Sequence, residues 1–333
     1  MKKGILIFIG VFTLTFNTKA QDGFEEIILG GQEDAKKILE GYFAPAMEGF
    51  IYSMNNGWAH TAKVHKVLGF DLTIGASGAL VPSSKEIFTA TGLTHNTNND
   101  GVYTGPTLMG EGEGNTYTVT KDGETISIQM PGGIAEDLPV SAVPAPTLQL
   151  NIGLPYKFEA MVRYFPETDF GDDGGSAKMI GLGLKKEITS WFGPLDKLPL
   201  HVSLLASYTT LNVIYGFENT DNEELDIDNG AAEFDLKAFN VQALASLNFP
   251  IINVYGGIGY GSGNSDFKMT GTYTYDKGGS NEEELTPPDL KFSAASFKTT
   301  LGARLSLGFF KIFADYTLQE YNTVSAGIAF SIR

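Results

Sequence analysis

Paired carboxylates and histidines are the residues best suited to chemistry here, and their spacing limits what they can do. Asp172 and Asp173 adjoin each other in a glycine-rich stretch. Two such acids can share a proton and activate water when a base lies within hydrogen-bond reach. The four histidines are His60, His65, His95 and His201, and none adjoins an aspartate. His201 and Ser203 share one face of an alternating segment. No nucleophile motif surrounds that serine, and a hydrolase would also need an orienting partner converging in space. Asp226-Ile227-Asp228-Asn229-Gly230 resembles the start of a calcium loop, which makes Asp226 and Asp228 weak candidate metal ligands. The glutamate that closes such a loop is replaced by Lys237, so no resident metal is expected. The glycine-rich stretch from Gly256 to Gly261 has no βαβ unit around it and is no dinucleotide motif. Cysteine is absent, which removes disulfides, thiolate metal sites and cysteine nucleophiles. The chain therefore reads as a non-enzyme without a cofactor.

A second set of charged residues has a regular setting. Asp71, Lys157, Glu159, Arg163, Lys185, Lys298, Arg304, Lys311, Asp315 and Arg333 each fall on the polar side of a segment that alternates with a period of two. Such alternation puts the two residue sets on opposite faces of a strand. Ten segments share it: 66–81, 146–153, 156–165, 177–187, 200–213, 236–248, 251–261, 296–307, 310–318 and 323–333. Their apolar faces carry no charge, as in Leu68, Phe70, Leu72 and Ile74, or Leu301, Ala303, Leu305 and Leu307. Their other faces are mostly small, as in Gly69, Thr73, Gly75 and Ser77. A soluble surface is about 25–35% charged. A charge at mid-membrane costs about 2–4 kcal/mol. The pattern predicts an all-β fold, a transmembrane antiparallel barrel of about ten strands, with these charges lining its lumen. They could salt-bridge a narrow lumen or form a basic constriction that selects anions.

The connections support closure. Those at 154–155, 249–250, 308–309 and 189–199 are short, whereas 82–145, 166–176, 214–234 and 262–295 are long and acidic. Short turns at one rim and long loops at the other are the habit of outer-membrane barrels. An even strand count then puts both termini on the short-turn, periplasmic side.

Residues 1–20 read as a signal peptide, with Lys2 and Lys3 before an apolar run and Thr18-Lys19-Ala20 at the cleavage site. Residues 21–65 do not alternate; 32–42 has helical character, followed by an apolar stretch with Pro45 and by Trp58. This segment is expected either to plug the barrel, with Pro45 and Trp58 in the plug, or to lie as a helical flap in the periplasm. Residues 66–333 are the expected barrel. With 23 basic and 39 acidic residues the net charge is −16, which excludes nucleic acid as a partner.

The terminal strand Gly327-Ile328-Ala329-Phe330-Ser331-Ile332-Arg333, together with the signal peptide, resembles outer-membrane barrel proteins of the Bacteroidota. Gly181-Leu182-Gly183-Leu184-Lys185-Lys186-Glu187-Ile188, then Trp191 and Pro199, resembles an uncharacterised family of that group. More distantly the chain is similar to long-chain fatty acid transporters, whose hatch carries an Asn-Pro-Ala element. Here the triplet is Ala44-Pro45-Ala46, and ten strands stand where that family has fourteen. The resemblance implies membrane lipid as a partner and a small hydrophobic molecule as a ligand. The leading expectation is passage of such a molecule. The alternative is a sealed structural or surface-interaction protein, and a rim protease or lipase is a remote third.

Overall fold

The computed structural model describes residues 25–95, 100–121, 123–138, 140–170, 175–217, 220–221, 225–276 and 282–332. The signal-peptide stretch, the Asp172-Asp173 pair and Arg333 lie outside these residues. Ten strands form a closed antiparallel ring. They are β1 Phe70–Leu80, β2 Ala142–Leu154, β3 Phe158–Phe170, β4 Gly175–Glu187, β5 Leu200–Gly216, β6 Asp226–Asn248, β7 Ile252–Asp276, β8 Leu290–Leu307, β9 Phe310–Leu318 and β10 Thr323–Ile332. Each pairs with the next, and β10 closes on β1 in unbroken register from Phe70↔Ile332 to Ala79↔Thr323. Closure removes every unpaired edge from the bilayer, which is what lets a sheet span one. No helix among the described residues is long and apolar enough to cross a membrane.

Every strand contributes to an outward apolar belt: Phe70, Leu150, Val162, Leu182, Leu204, Val241, Val254, Leu301, Ile312 and Val324 are examples, one from each. At the long-loop side the belt ends on Tyr164, Tyr208, Tyr260, Phe297 and Tyr316. At the other it ends on Tyr156, Trp191, Phe192, Phe249 and Phe309, all exposed around the short turns. Two aromatic girdles bounding an apolar band are the boundary of a transmembrane barrel. Phe165, next to Tyr164, and Tyr321, in the turn between β9 and β10, face inward and are buried.

The main departure from expectation is strand length. The acidic stretches 214–234 and 262–295 read as loops, yet β6 runs for 23 residues and β7 for 25. Above the girdle the outer face becomes charged, with Asp235 and Lys237 exposed where Phe239 and Val241 stand below. The inner face stays apolar, with Phe234, Phe267, Tyr273 and Phe292 buried. The strands therefore continue into water as a wall around an apolar cap. The 82–145 connection fills that cap with two hairpins, Ile87–Thr91 with Val102–Pro106 and Thr116–Lys121 with Glu124–Gln129. At the start, 66–69 is a turn rather than strand, with Leu68 at φ 62.

Helix α1, Gln32–Met54, lies inside the ring. Glu33 and Asp34 occupy its first turn, where the helix dipole favours acids. Asp34 accepts the backbone N–H groups of Thr94 and His95 at 2.8 and 2.9 Å, tying the helix to the cap. Ile38, Leu39, Tyr42, Phe43, Met47, Ile51 and Tyr52 are buried on several faces of α1, as befits a helix enclosed by a wall. Gly49 allows its close approach to β2, since a Cβ there would stand 2.4 Å from Val143. Lower down, Tyr52 donates to Glu320 at 2.6 Å, and Tyr321 and Lys85 both donate to Glu48. Burial, then the bond to Glu48, pushes the Tyr321 phenol well above its ordinary value, so it stays a donor.

The described chain begins in the cap, where Gly30 abuts Tyr117, and descends through the lumen. His65 reaches Ser331 at the short-turn end, and β1 starts from there. Glu25 and Ile332 therefore stand at opposite ends of the barrel; the termini themselves, expected together on the periplasmic side, lie outside the described residues.

Leu301, 67% exposed in mid-belt, tests the boundary. Leu301→Arg should cost about 2–4 kcal/mol in unfolding from phospholipid vesicles. A cost within about 0.5 kcal/mol, as at ordinary wet surfaces, would place the belt in water.

Candidate functional site

Below α1, residues 55–65 fill the barrel without regular secondary structure, and cations from the wall hold them by their carbonyl oxygens. Arg163 on β3 donates to the Met54 carbonyl at 3.3 Å and to that of Asn56 at 3.2 Å. Its Nη2 and Nε also donate to Gln149 Oε1, at 3.1 and 3.2 Å. The guanidinium lies 4.2 Å over the Trp58 ring, a contact worth about 2 kcal/mol when desolvated. Lys298 on β8 donates to the Asn55 carbonyl at 2.7 Å and to Asn56 Oδ1 at 3.1 Å. Lys185 on β4 donates to the carbonyls of Thr61 and Lys63 at 3.3 and 3.5 Å.

Acids hold the other end of the segment. Glu159 pairs with Lys185 at 2.7 Å and accepts both the His65 backbone N–H and a His65 ring nitrogen, at 2.9 and 2.8 Å. Glu187 accepts the Val64 N–H at 3.2 Å. Asp71 lies 3.3 Å from His65 and accepts from Asn151. Arg304 donates to His60 Nδ1 at 3.0 Å. Arginine only donates, so that nitrogen accepts and the ring proton sits on Nε2. Asp315 accepts from Tyr255 at 2.9 Å. Trp58 packs under Gly181 and Gly183, where a Cβ would stand about 3 Å from the indole.

Of the nine charged residues expected along the lumen and placed in the structure, Asp71, Glu159, Arg163, Lys185, Lys298, Arg304 and Asp315 turn inward. The other two stand at its rim. Lys157 lies in the turn Pro155–Lys157, with its side chain 45% exposed, and reaches Glu187 at 3.5 Å from the rim. Lys311 sits beside the short turn and donates to the Gly308 carbonyl at 2.6 Å. Strand parity fails for Lys157 because the chain there is turning, whereas Lys311 keeps the inward parity of Phe313 and Asp315, opposite Ala329. These nine charges form one ion pair with each other, Glu159 with Lys185, and it lies between register partners on neighbouring strands β3 and β4 rather than across the lumen. Arg163 and Lys298 meet main chain instead.

Pro45 and Trp58 are both buried inside the ring, Pro45 within α1. The expectation from sequence missed Gln149, Asn56, His60 and His65. Gln149 had a signal: it is polar at an inward position between Leu148 and Leu150. Asp226 and Asp228 stand exposed at the start of β6, and Asn229 donates to Asp228 at 2.8 Å. Among the described residues no cluster of histidine and carboxylates could hold a metal ion. Ser203 is buried and its hydroxyl has no partner, while His201 turns to Glu187 at 3.0 Å, so the two form no dyad.

A sequence model of one family matches residues 1–332, and its description reads "Family of unknown function (DUF6588)". The chain belongs to this family. No curated protein sequence matches it. Solved structures similar to it include Ail, the attachment invasion locus protein of Yersinia pestis, at 11% identity over 80% of this chain and 99% of that one, with a TM-score of 0.26. The translocator domain of the autotransporter NalP from Neisseria meningitidis matches at 12% over 81% and 90%, TM-score 0.31. The CymD monoaromatic hydrocarbon channel matches at 11% over 80% and 88%, TM-score 0.18.

Two substitutions test the seat. Glu159→Gln strands Lys185 without its countercharge and should cost about 3–5 kcal/mol of unfolding free energy, most of it recovered in Glu159→Gln/Lys185→Met. Additive losses in that double variant would show the pair to be uncoupled. Gly183→Val, in a Trp191→Phe background, should shift Trp58 emission to the red and cost about 1–3 kcal/mol. Unchanged emission would mean that Trp58 does not pack there.

Proposed function

We propose that this protein is a sealed outer-membrane barrel that anchors an acidic, surface-facing cap for contact with a partner outside the cell. The observation that carries this reading is the seat of residues 54–65. Arg163, Lys185 and Lys298 are buried, and each bonds to carbonyl oxygens of the inserted segment. A lumen built to pass solute keeps a continuous wet path along its charges. Here the charges are spent on holding main chain. The cap supports the second half of the reading, since the strands that leave the belt carry their charge outward and their apolar side inward around α1. In this placement the short turns face the periplasm and the cap faces outward, following the habit of outer-membrane barrels. The cap's acidity favours a cationic or neutral partner over nucleic acid.

Passage of a small apolar molecule is the second reading. The absence of regular secondary structure in 55–65 favours it, because such a segment can leave without unwinding a helix. Passage requires that departure.

Planar bilayers separate the two. The intact protein should show no steady conductance, and Arg163→Ala/Lys298→Ala should show flickering openings as the seat loosens. Steady ohmic channels from the unaltered protein would overturn the sealed reading. An epitope inserted at Gly123, in the tip of a cap hairpin, should be labelled on intact cells; labelling only after lysis would reverse the orientation.

A further inference from the structure

The lipid-facing wall is not evenly convex. Across β4 to β8 it holds an open depression of about 790 Å³, within the about 300–1,000 Å³ usual for ligand sites. Ladder registers explain its shape. One outward row runs Lys186, Leu204, Ala243, Ile258 and Thr299, and its neighbour runs Leu184, Ala206, Val241, Tyr260 and Phe297. Ala206 and Ala243 give a low floor. Phe297 stands 82% exposed at one end, braced edge-on by Tyr260 at 5.2 Å. Lys186 closes the other end, its ammonium donating to the Tyr156 carbonyl and lying 4.3 Å over the Phe158 ring. Five strands at about 4.8 Å spacing make the trough about 19 Å long.

We propose that this trough seats one membrane lipid with an anionic phosphate, its acyl chain over Ala206 and Ala243 and its headgroup on Lys186. The proposal rests on the membrane placement argued above. On a flat stretch of wall a lipid chain touches protein on one side. Here the raised flanks of Leu184, Leu204 and Phe297 add dispersion contacts that the flat wall lacks. Lys186 lies at the depth of the short-turn girdle, beside Tyr156, which is where lipid phosphates reside. It keeps ammonium donors beyond the one given to Tyr156. A second copy of the chain fits less well. The outward strand positions at that depth, such as Phe70, Leu307 and Ile332, offer no acid to meet the lysine.

Native mass spectrometry of protein extracted from membranes in mild detergent tests this. The unaltered barrel should retain one anionic phospholipid. Ala243→Phe, which fills the trough, should abolish the adduct, and Lys186→Gln should lower its occupancy about tenfold while removing the preference for anionic over zwitterionic lipid. Both variants should still fractionate with the outer membrane and migrate as folded barrels. No adduct on the unaltered protein, equal occupancy in both variants, or a protein dimer in place of a lipid adduct would each overturn the proposal. Failure of the unaltered protein to fractionate with membranes would overturn the placement itself.

Discussion

Cations of the barrel wall grip the carbonyl oxygens of a chain segment that runs through the barrel, and the rest of the architecture depends on that grip. A ten-stranded ring with small inner residues leaves a space that must hold either water or protein. Arg163, Lys185 and Lys298 could not stay buried in an empty, dry lumen, because an isolated buried charge is too costly. Residues 54–63 supply acceptors where those charges point. In return the cations satisfy carbonyls that α1 leaves open at its end and that 55–65 cannot pair within itself. Neither the wall nor the segment is complete alone.

The same logic extends upward. α1 is too apolar to stand in water, and the bilayer ends at the Tyr164–Tyr208–Tyr260 girdle. The strands therefore continue past it, turning charged on the outside while keeping Phe234 and Phe267 inward against Phe43 at 5.4 Å each. The two hairpins of the first long connection close the top. One chain thus has an apolar exterior below and an apolar interior above, with the inversion occurring within single strands such as β6.

This inversion marks what could be read from the sequence. The ten barrel strands were legible because alternation without outward charge fits little besides a wall that faces lipid. The upper halves of β6 and β7 were not, because Asp226, Asp228, Glu233 and Asp235 look like loop residues when lipid is the assumed neighbour. The alternation persisted there, Ile227 and Phe234 facing in, but the outer residue type had switched with the solvent. Thr116-Tyr117-Thr118-Val119-Thr120 in the cap carried the same period-two signal inside what read as a loop. The lumen charges were legible by parity wherever the strand was regular, and the reading failed at Lys157, where the chain turns. Their partners were not legible at all. Arg163 binds main-chain oxygens, which every residue carries, so side-chain identities could not disclose the pairing.

The grip also sets how the lumen could ever open. Each charge-assisted bond to a carbonyl contributes about 1.5–3 kcal/mol. Withdrawing the segment breaks those of Arg163, Lys185 and Lys298 together, since they hold the carbonyls of Met54, Asn55, Asn56, Thr61 and Lys63 on one continuous stretch. Even at the lower end the sum exceeds about 4 kcal/mol, which holds a spontaneously open form to about one molecule in a thousand. Thermal motion alone is thus a poor gate. An opening signal would have to bind the open form more tightly than the closed one by at least that margin. Only the ends of the inserted path are accessible to such a ligand, at the cap where α1 meets the hairpins or at the short-turn mouth where His65 meets Ser331. Because the segment is continuous with α1, pulling it upward would disrupt the apolar cap core as well as the grip, whereas at the short-turn end loosening begins with the contacts of 61–65 to Lys185, Glu159 and Glu187. A gate, if this barrel has one, is therefore cheapest to work from the short-turn side.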